Sequence, residues 1–149
     1  MSEATEHLVT LRQRQDYQFE IEFGGGRPNL LADEPPPLGQ AAGPSPVQML
    51  LGAVGDCMSS SLLFALRKFK NDPGGITTEA RARVGRNEAG RLRVLHIDVH
   101  IRLGRPAAEL QHLERILDQF EAFCTVGESV RAGIPTDIAV FDVDGTRLH

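Results

Sequence analysis

The sequence predicts an α+β fold wrapped around one long, buried helix. Three observations carry this reading. Strand-like and helix-like stretches are segregated along the chain rather than alternating, which favours α+β over a parallel α/β sheet. One segment near the middle is apolar on nearly every side of a helix and so must be covered. A later segment alternates apolar and polar residues with the period of a half-buried strand.

The elements follow in order. His7–Gln13 is a short, weakly apolar strand candidate, and Gln13–Asp16 a polar turn. Tyr17, Phe19, Ile21 and Phe23 then alternate with Gln18, Glu20 and Glu22, a strand pattern that Gly24, Gly25 and Gly26 end. After a short apolar piece at Asn29–Ala32 comes a proline-rich segment that can form neither regular sheet nor helix, expected to lie extended over the surface. Ser45-Pro46-Val47-Gln48 supplies a helix start: a serine cap, proline in the first turn and glutamine at the third position. The helix runs through Met49–Phe69, with small residues at Gly52, Gly55 and Ser59–Ser61 that permit close backbone approach. Arg67, Lys68 and Lys70 suit its C-terminus. A hairpin follows, with arms Thr77–Val84 and Leu92–Leu103. In its second arm Leu95, Ile97, Val99, Ile101 and Leu103 form the dry face. Pro106 opens an amphipathic helix carrying Leu110, Leu113, Leu117 and Phe120. Thr125-Val126-Gly127-Glu128 reads as a second capping box starting a short helix that ends near Gly133, and Ile138–Val143 is a last strand.

Length and composition bound the function. The 149 residues suit a single domain spanning 1–149, with 41% hydrophobic and 24% charged residues. A formal charge of −4 supplies no basic excess for phosphates, and 5% aromatic residues supply few stacking platforms, so nucleic acid is not an expected partner. The N-terminal stretch has no signal-like apolar run, and no segment reaches about 18–20 uninterrupted apolar residues. A cytoplasmic protein without a membrane partner is expected, its two cysteines free rather than a permanent disulfide.

Those cysteines are the candidates for chemistry. Cys57 lies eleven residues past Pro46, about 16 Å along its helix, beyond the reach of that helix's dipole. Its neighbour Asp56 would raise rather than lower a thiol pKa, so a reactive Cys57 needs a positive charge from elsewhere. Cys124 immediately precedes the Thr125 cap, where free N–H groups favour a thiolate. The two can act together only if folding brings their Cα atoms within about 7 Å. Among the histidines, His96 and His100 share a strand face but stand about 13 Å apart, too far for one metal. No metal and no cofactor are expected.

Two stretches carry a family likeness. Gly43-Pro44-Ser45-Pro46-Val47-Gln48 through Gly55-Asp56-Cys57, and Cys124 followed by Val130-Arg131-Ala132-Gly133-Ile134-Pro135, resemble the two cysteine motifs of the OsmC/Ohr family. The likeness covers residues 8 to 144. It implies curved antiparallel sheets around a long buried central helix, in an intertwined homodimer with a site at the dimer interface. It further implies Cys57 as the thiolate attacking a hydroperoxide and Cys124 as the resolving thiol, with a separate thiol reductant closing the cycle. In the family's peroxidases an arginine activates the first cysteine and a glutamate near the helix start holds it. Here Val47 and Gln48 stand at the glutamate's place. Gln48 is open to two roles, holding a guanidinium or completing the capping box with Ser45. Arg27, after Gly24–Gly26, resembles the arginine of the family's Gly-Gly-Arg stretch.

A thiol-dependent peroxidase acting on organic hydroperoxides is therefore the leading expectation. The alternatives are a non-catalytic small-molecule-binding or redox-sensing protein on the same fold, and a purely structural partner protein.

Overall fold

The computed structural model describes residues 3–149. Its contacts divide the chain into two compact units, Met1–Met49 and Leu50–His149.

The first unit is a three-stranded antiparallel sheet of β1 (Thr10–Gln15), β2 (Gln18–Glu22) and β3 (Leu30–Ala32), in that spatial order. β1 begins three residues later than its sequence pattern suggested. Gln15 pairs with Gln18, so the turn is Asp16-Tyr17, and Asp16 accepts the positive φ of 47° that a tight turn demands. The weak apolar pattern of residues 7–13 gave the pairing no register to hold it elsewhere. Of the alternating residues in and beside β2 only Ile21 is buried. Gly24–Gly26 form the expected turn, all three with positive φ. The proline-rich segment is not extended. It coils around Asp33, whose carboxylate is almost fully buried and accepts the backbone N–H groups of Glu34, Gln40 and Ala42. The Ala42 N–H, working against burial, holds that carboxyl below its ordinary range.

The second unit is a three-stranded sheet covered on one face by helices. α1 (Pro46–Lys68) starts as expected: Ser45 Oγ accepts the Gln48 N–H and Gln48 Oε1 accepts the Ser45 N–H. β4 (Ile76–Arg86) and β5 (Leu92–Leu103) form the antiparallel hairpin. Ile97, Val99, Ile101 and Leu103 point inward and are essentially inaccessible. Against them α1 lays Val54, Met58, Leu62 and Leu66, each with no exposed surface. Full burial of such side chains stabilises by roughly 1.5–3 kcal/mol apiece. Gly55 lets the helix ride close over β4, where a Cβ would already touch Thr78 and Ala80. Beside it Ser59 gives its proton to the Gly55 carbonyl and so accepts one from Thr78 at 2.5 Å. By length and composition α1 could cross a membrane. One stripe of it is instead packed on the sheet, and Phe64, on another side, is 65% exposed.

β6 (Thr136–Phe141) joins β5 in parallel, giving the order β4-β5-β6. The intervening 32 residues provide the crossover that a parallel return requires. That crossover is not the single amphipathic helix expected from Pro106. A short 3-10 turn (Ala107–Glu109) comes first, Leu110 is extended, His112 is left-handed, and only then does α2 (Leu113–Gln119) begin. The interruption has a tertiary cause. Asn71 donates to the Gln111 carbonyl at 2.8 Å and accepts the Gln111 N–H at 2.7 Å, taking both backbone groups out of any helical ladder. A second 3-10 turn (Phe120–Phe123) then leads to α3 (Thr125–Arg131).

Asn71 is thus a splice between the end of α1 and the crossover. Asn71→Ala leaves the Gln111 amide and carbonyl without partners, and is expected to cost about 1–3 kcal/mol in a urea titration. Faster hydrogen exchange should appear at the Gln111 amide.

Candidate active site

The site forms where the N-terminus of α3 meets the middle of α1. On α1, Cys57 and Ser61 are one turn apart, and Met58 is fully buried beside them. The other side is the joint between the 3-10 turn Phe120–Phe123 and α3, with Cys124 at its corner.

Cys124 itself caps α3. Its backbone is extended (φ −84°, ψ 96°) and its Sγ accepts the Gly127 N–H at 3.3 Å. The sequence pointed to Thr125 as the cap with Glu128 as its partner. Thr125 is instead the first helical residue, and Glu128 turns to Arg131 at 3.1 Å. A buried sulfur has reached the free N–H first. The neighbouring Val126 N–H donates to Cys57 Sγ at 3.4 Å. Two successive amides of one helix end therefore serve two sulfurs from residues 67 positions apart in the chain, which sets the two thiols side by side. Both are free cysteines.

Close approach depends on Gly127. A Cβ there would lie 2.6 Å from Met58 Cε and 2.7 Å from Cys124 Sγ. Arg131 braces the same joint from outside, pairing with Glu121 at 3.0 Å and Glu128 at 3.1 Å and so tying the 3-10 turn to α3 on either side of Cys124.

The two thiols differ in burial, and Cys124 departs from the local sequence reading. Cys124 is 1% exposed, whereas Cys57 is partly accessible. Burial, reinforced by the adjoining Cys57 thiol, pushes Cys124 from 9.0 up to about 11, although the Gly127 N–H and the Ser61 side chain pull the other way. The helix end that was expected to make Cys124 the easier thiolate is present, but desolvation outweighs it. Cys57, assigned no help from its own helix, receives an N–H from a different one.

The remaining sequence candidates fall in the first unit or at its border. Arg27 is exposed and donates from Nη1 to the Gly24 carbonyl at 3.1 Å. Gln48 has its amide oxygen in the capping box, the role that the Ser45 pairing offered. Sequence reading missed the Val126 amide and Gly127, which no side-chain pattern announces. It also missed Ser61, which the i, i+4 spacing from Cys57 could have flagged. A groove of about 670 Å³ between α1 and β4 is lined by Gly52, Gly55, Ser59 and Thr78 among others, and does not include either cysteine.

Two measurements test this geometry. Gly127→Ala should destabilise the protein by about 1–3 kcal/mol through overpacking, and a partner change of Met58→Ala should recover part of that loss. The raised thiol of Cys124 leaves stability undiminished below pH 9, where both folded and unfolded forms are protonated. As pH rises from 9 toward 11 the unfolded chain loses that proton first, so stability falls. The fall should be shallower in Cys124→Ala, compared by chemical denaturation across that window.

Comparison with known proteins agrees with the architecture. The chain matches the family model described as OsmC-like protein over residues 39–139. No match was found among proteins of curated function. Among solved structures, an OsmC-like protein from Vibrio cholerae superposes with a TM-score of 0.77 at 18% identity, covering 93% of this chain and 100% of that one. An OsmC-like protein from Mycoplasma pneumoniae gives 0.77 at 13%, covering 93% and 98%. An organic hydroperoxide resistance protein from Elizabethkingia anophelis gives 0.71 at 16%, covering 91% and 96%. At such identities these likenesses speak to fold alone. With the family model spanning about two thirds of its length and both cysteines inside that span, the chain belongs to the OsmC-like family.

Proposed function

We propose that this protein is a thiol-dependent peroxidase that reduces organic hydroperoxides with Cys57 and Cys124. The observation that carries the reading is that successive α3 amides, of Val126 and Gly127, each hold one of the two sulfurs, so that the thiols lie side by side. An organic hydroperoxide resistance protein among the structural neighbours, and membership of the OsmC-like family, support the substrate class.

The accessible Cys57 is the attacking group and the buried, protonated Cys124 the resolving one. The Cys57 thiolate sulfur attacks the outer oxygen of ROOH. The O–O bond breaks, RO⁻ takes up a proton as ROH, and Cys57 becomes a sulfenic acid. Cys124 sulfur then bonds to Cys57 sulfur, and the hydroxyl leaves with the Cys124 proton as water. An external thiol reductant returns the disulfide to two thiols. Holding both sulfurs at one helix end keeps the second step short, since effective concentration replaces diffusion. To Arg27, on the likeness of its Gly-Gly-Arg stretch, the reading assigns the charge that activates Cys57.

The assembly in this reading is a homodimer. A second copy covers the apolar sides of α1 that one chain leaves exposed, Phe64 among them, and the unpaired outer edge of β4. The setting is a cytoplasm that keeps both thiols reduced. A second reading, a redox sensor that is oxidised without efficient turnover, draws on one observation: Gln48, where the family's peroxidases carry a glutamate, is already held by Ser45.

Reduced protein mixed with cumene hydroperoxide should consume it in a dithiothreitol-dependent reaction. Cys57→Ser is expected to lower the rate by at least about 10²-fold. Cys124→Ser should still form one sulfenic acid per chain, detectable by dimedone labelling, without the intramolecular disulfide. Arg27→Ala should reduce kcat/KM for the peroxide. Consumption no faster than Cys57→Ser overturns the peroxidase reading, and a single stoichiometric oxidation without turnover favours the sensor.

A further inference from the structure

We infer that His96, Asp98 and Asp137 form a binding site for a divalent transition-metal ion of the zinc class, on the face of the second sheet turned away from the cysteines. His96 and Asp98 are two apart on β5 and so share a face, and Asp137 stands in register with Asp98 on the parallel neighbour β6. One imidazole nitrogen, His96 Nε2, lies 3.3 Å from Asp98 Oδ1 and 3.0 Å from Asp137 Oδ2. All three donor atoms fall within 4.8 Å of one another.

The donor atoms, joined here as hydrogen-bonded pairs, are also set at the dimensions of a metal site. A tetrahedral ion with arms of about 2.0–2.2 Å to nitrogen and carboxylate oxygen has donor–donor edges of about 3.3–3.6 Å. The two observed N···O separations, 3.0 and 3.3 Å, come within a few tenths of an ångström of such edges. One imidazole and two carboxylates suit zinc, cobalt or manganese rather than a soft, thiolate-seeking ion. Three protein ligands leave the fourth position to water. The pairing also has an electrostatic motive. Two carboxylates directly opposite on adjacent strands repel, and a divalent cation between them turns that repulsion into attraction.

The surrounding charges are mixed. On β4, Arg83 pairs in register with His96 and Arg81 with Asp98, and Arg81 is already held by Glu79 at 2.6 Å. Arg147 and His100 line the same shallow depression as Asp98 and Asp137. These cations limit the affinity without blocking the donors. The sequence expectation of no metal weighed His96 against His100, which are too far apart. The partners that matter are a carboxylate two residues on and another across the strand pair.

The full-length protein titrated with Zn²⁺ by calorimetry, and with Co²⁺ by absorption and paramagnetic NMR, provides the test. One equivalent should bind per chain, with Co²⁺ broadening the His96 ring signals. Each of His96→Ala and Asp137→Asn should weaken binding about tenfold or more, while His100→Ala leaves it unchanged. Because thiols also bind zinc, Cys57→Ser/Cys124→Ser is titrated alongside and should retain the site, with a Co²⁺ spectrum free of sulfur charge transfer. Absence of saturable binding at millimolar metal, or binding lost with the cysteines and unaffected by His96→Ala, overturns the inference.

Discussion

The packing of the α3 N-terminus against the middle of α1 is the constraint on which the site depends. It requires a residue without a side chain at 127, because Met58 and Cys124 already occupy the space a Cβ would take. Given that contact, the first free amides of α3 have nowhere to point except at the two sulfurs. A helix of seven residues contributes little as a dipole, so its value here lies in directed N–H groups held a few ångströms from their acceptors.

The same packing makes the cysteines different from each other. Both receive one backbone donor, so hydrogen bonding does not distinguish them. Burial does. Cys124 sits in the hydrophobic cluster with Phe120, Met58 and Leu117, where a charge is costly, while Cys57 lies at its margin. The chemical roles follow from solvent access more than from position along a helix. Arg131, Glu121 and Glu128 hold the corner that keeps Cys124 inside.

The second unit uses the two faces of its sheet for different things. The inner face carries the core stripe of β5 and supports α1. The outer face carries the polar residues of the same strand, among them His96 and Asp98. Period-two alternation, which the core needs for burial, thereby sets donor atoms at regular spacing on the wet side. The parallel addition of β6 brings Asp137 to that row.

Much of this was legible in the sequence. Alternation in Leu92–Leu103, the Ser45–Gln48 capping box and the apolar run of α1 are local patterns, and each produced the expected element because only residues a few positions apart decide it. The two cysteine motifs likewise announced the family. What failed locally was overruled by burial and by hydrogen bonds that no periodic pattern records. Asn71 broke the helix expected from Pro106, Asp33 gathered the proline-rich segment into a coil, and burial pushed up the Cys124 thiol that a helix end was expected to lower. The placing of Cys57 beside Cys124 at one helix end, the Val126 amide on Cys57 and the meeting of His96 with Asp137 join residues dozens of positions apart. Sequence patterns record periodicity and caps. Which distant side chains share a volume, and how dry that volume is, was decided by tertiary packing alone, because desolvation and close approach depend on the whole surrounding structure.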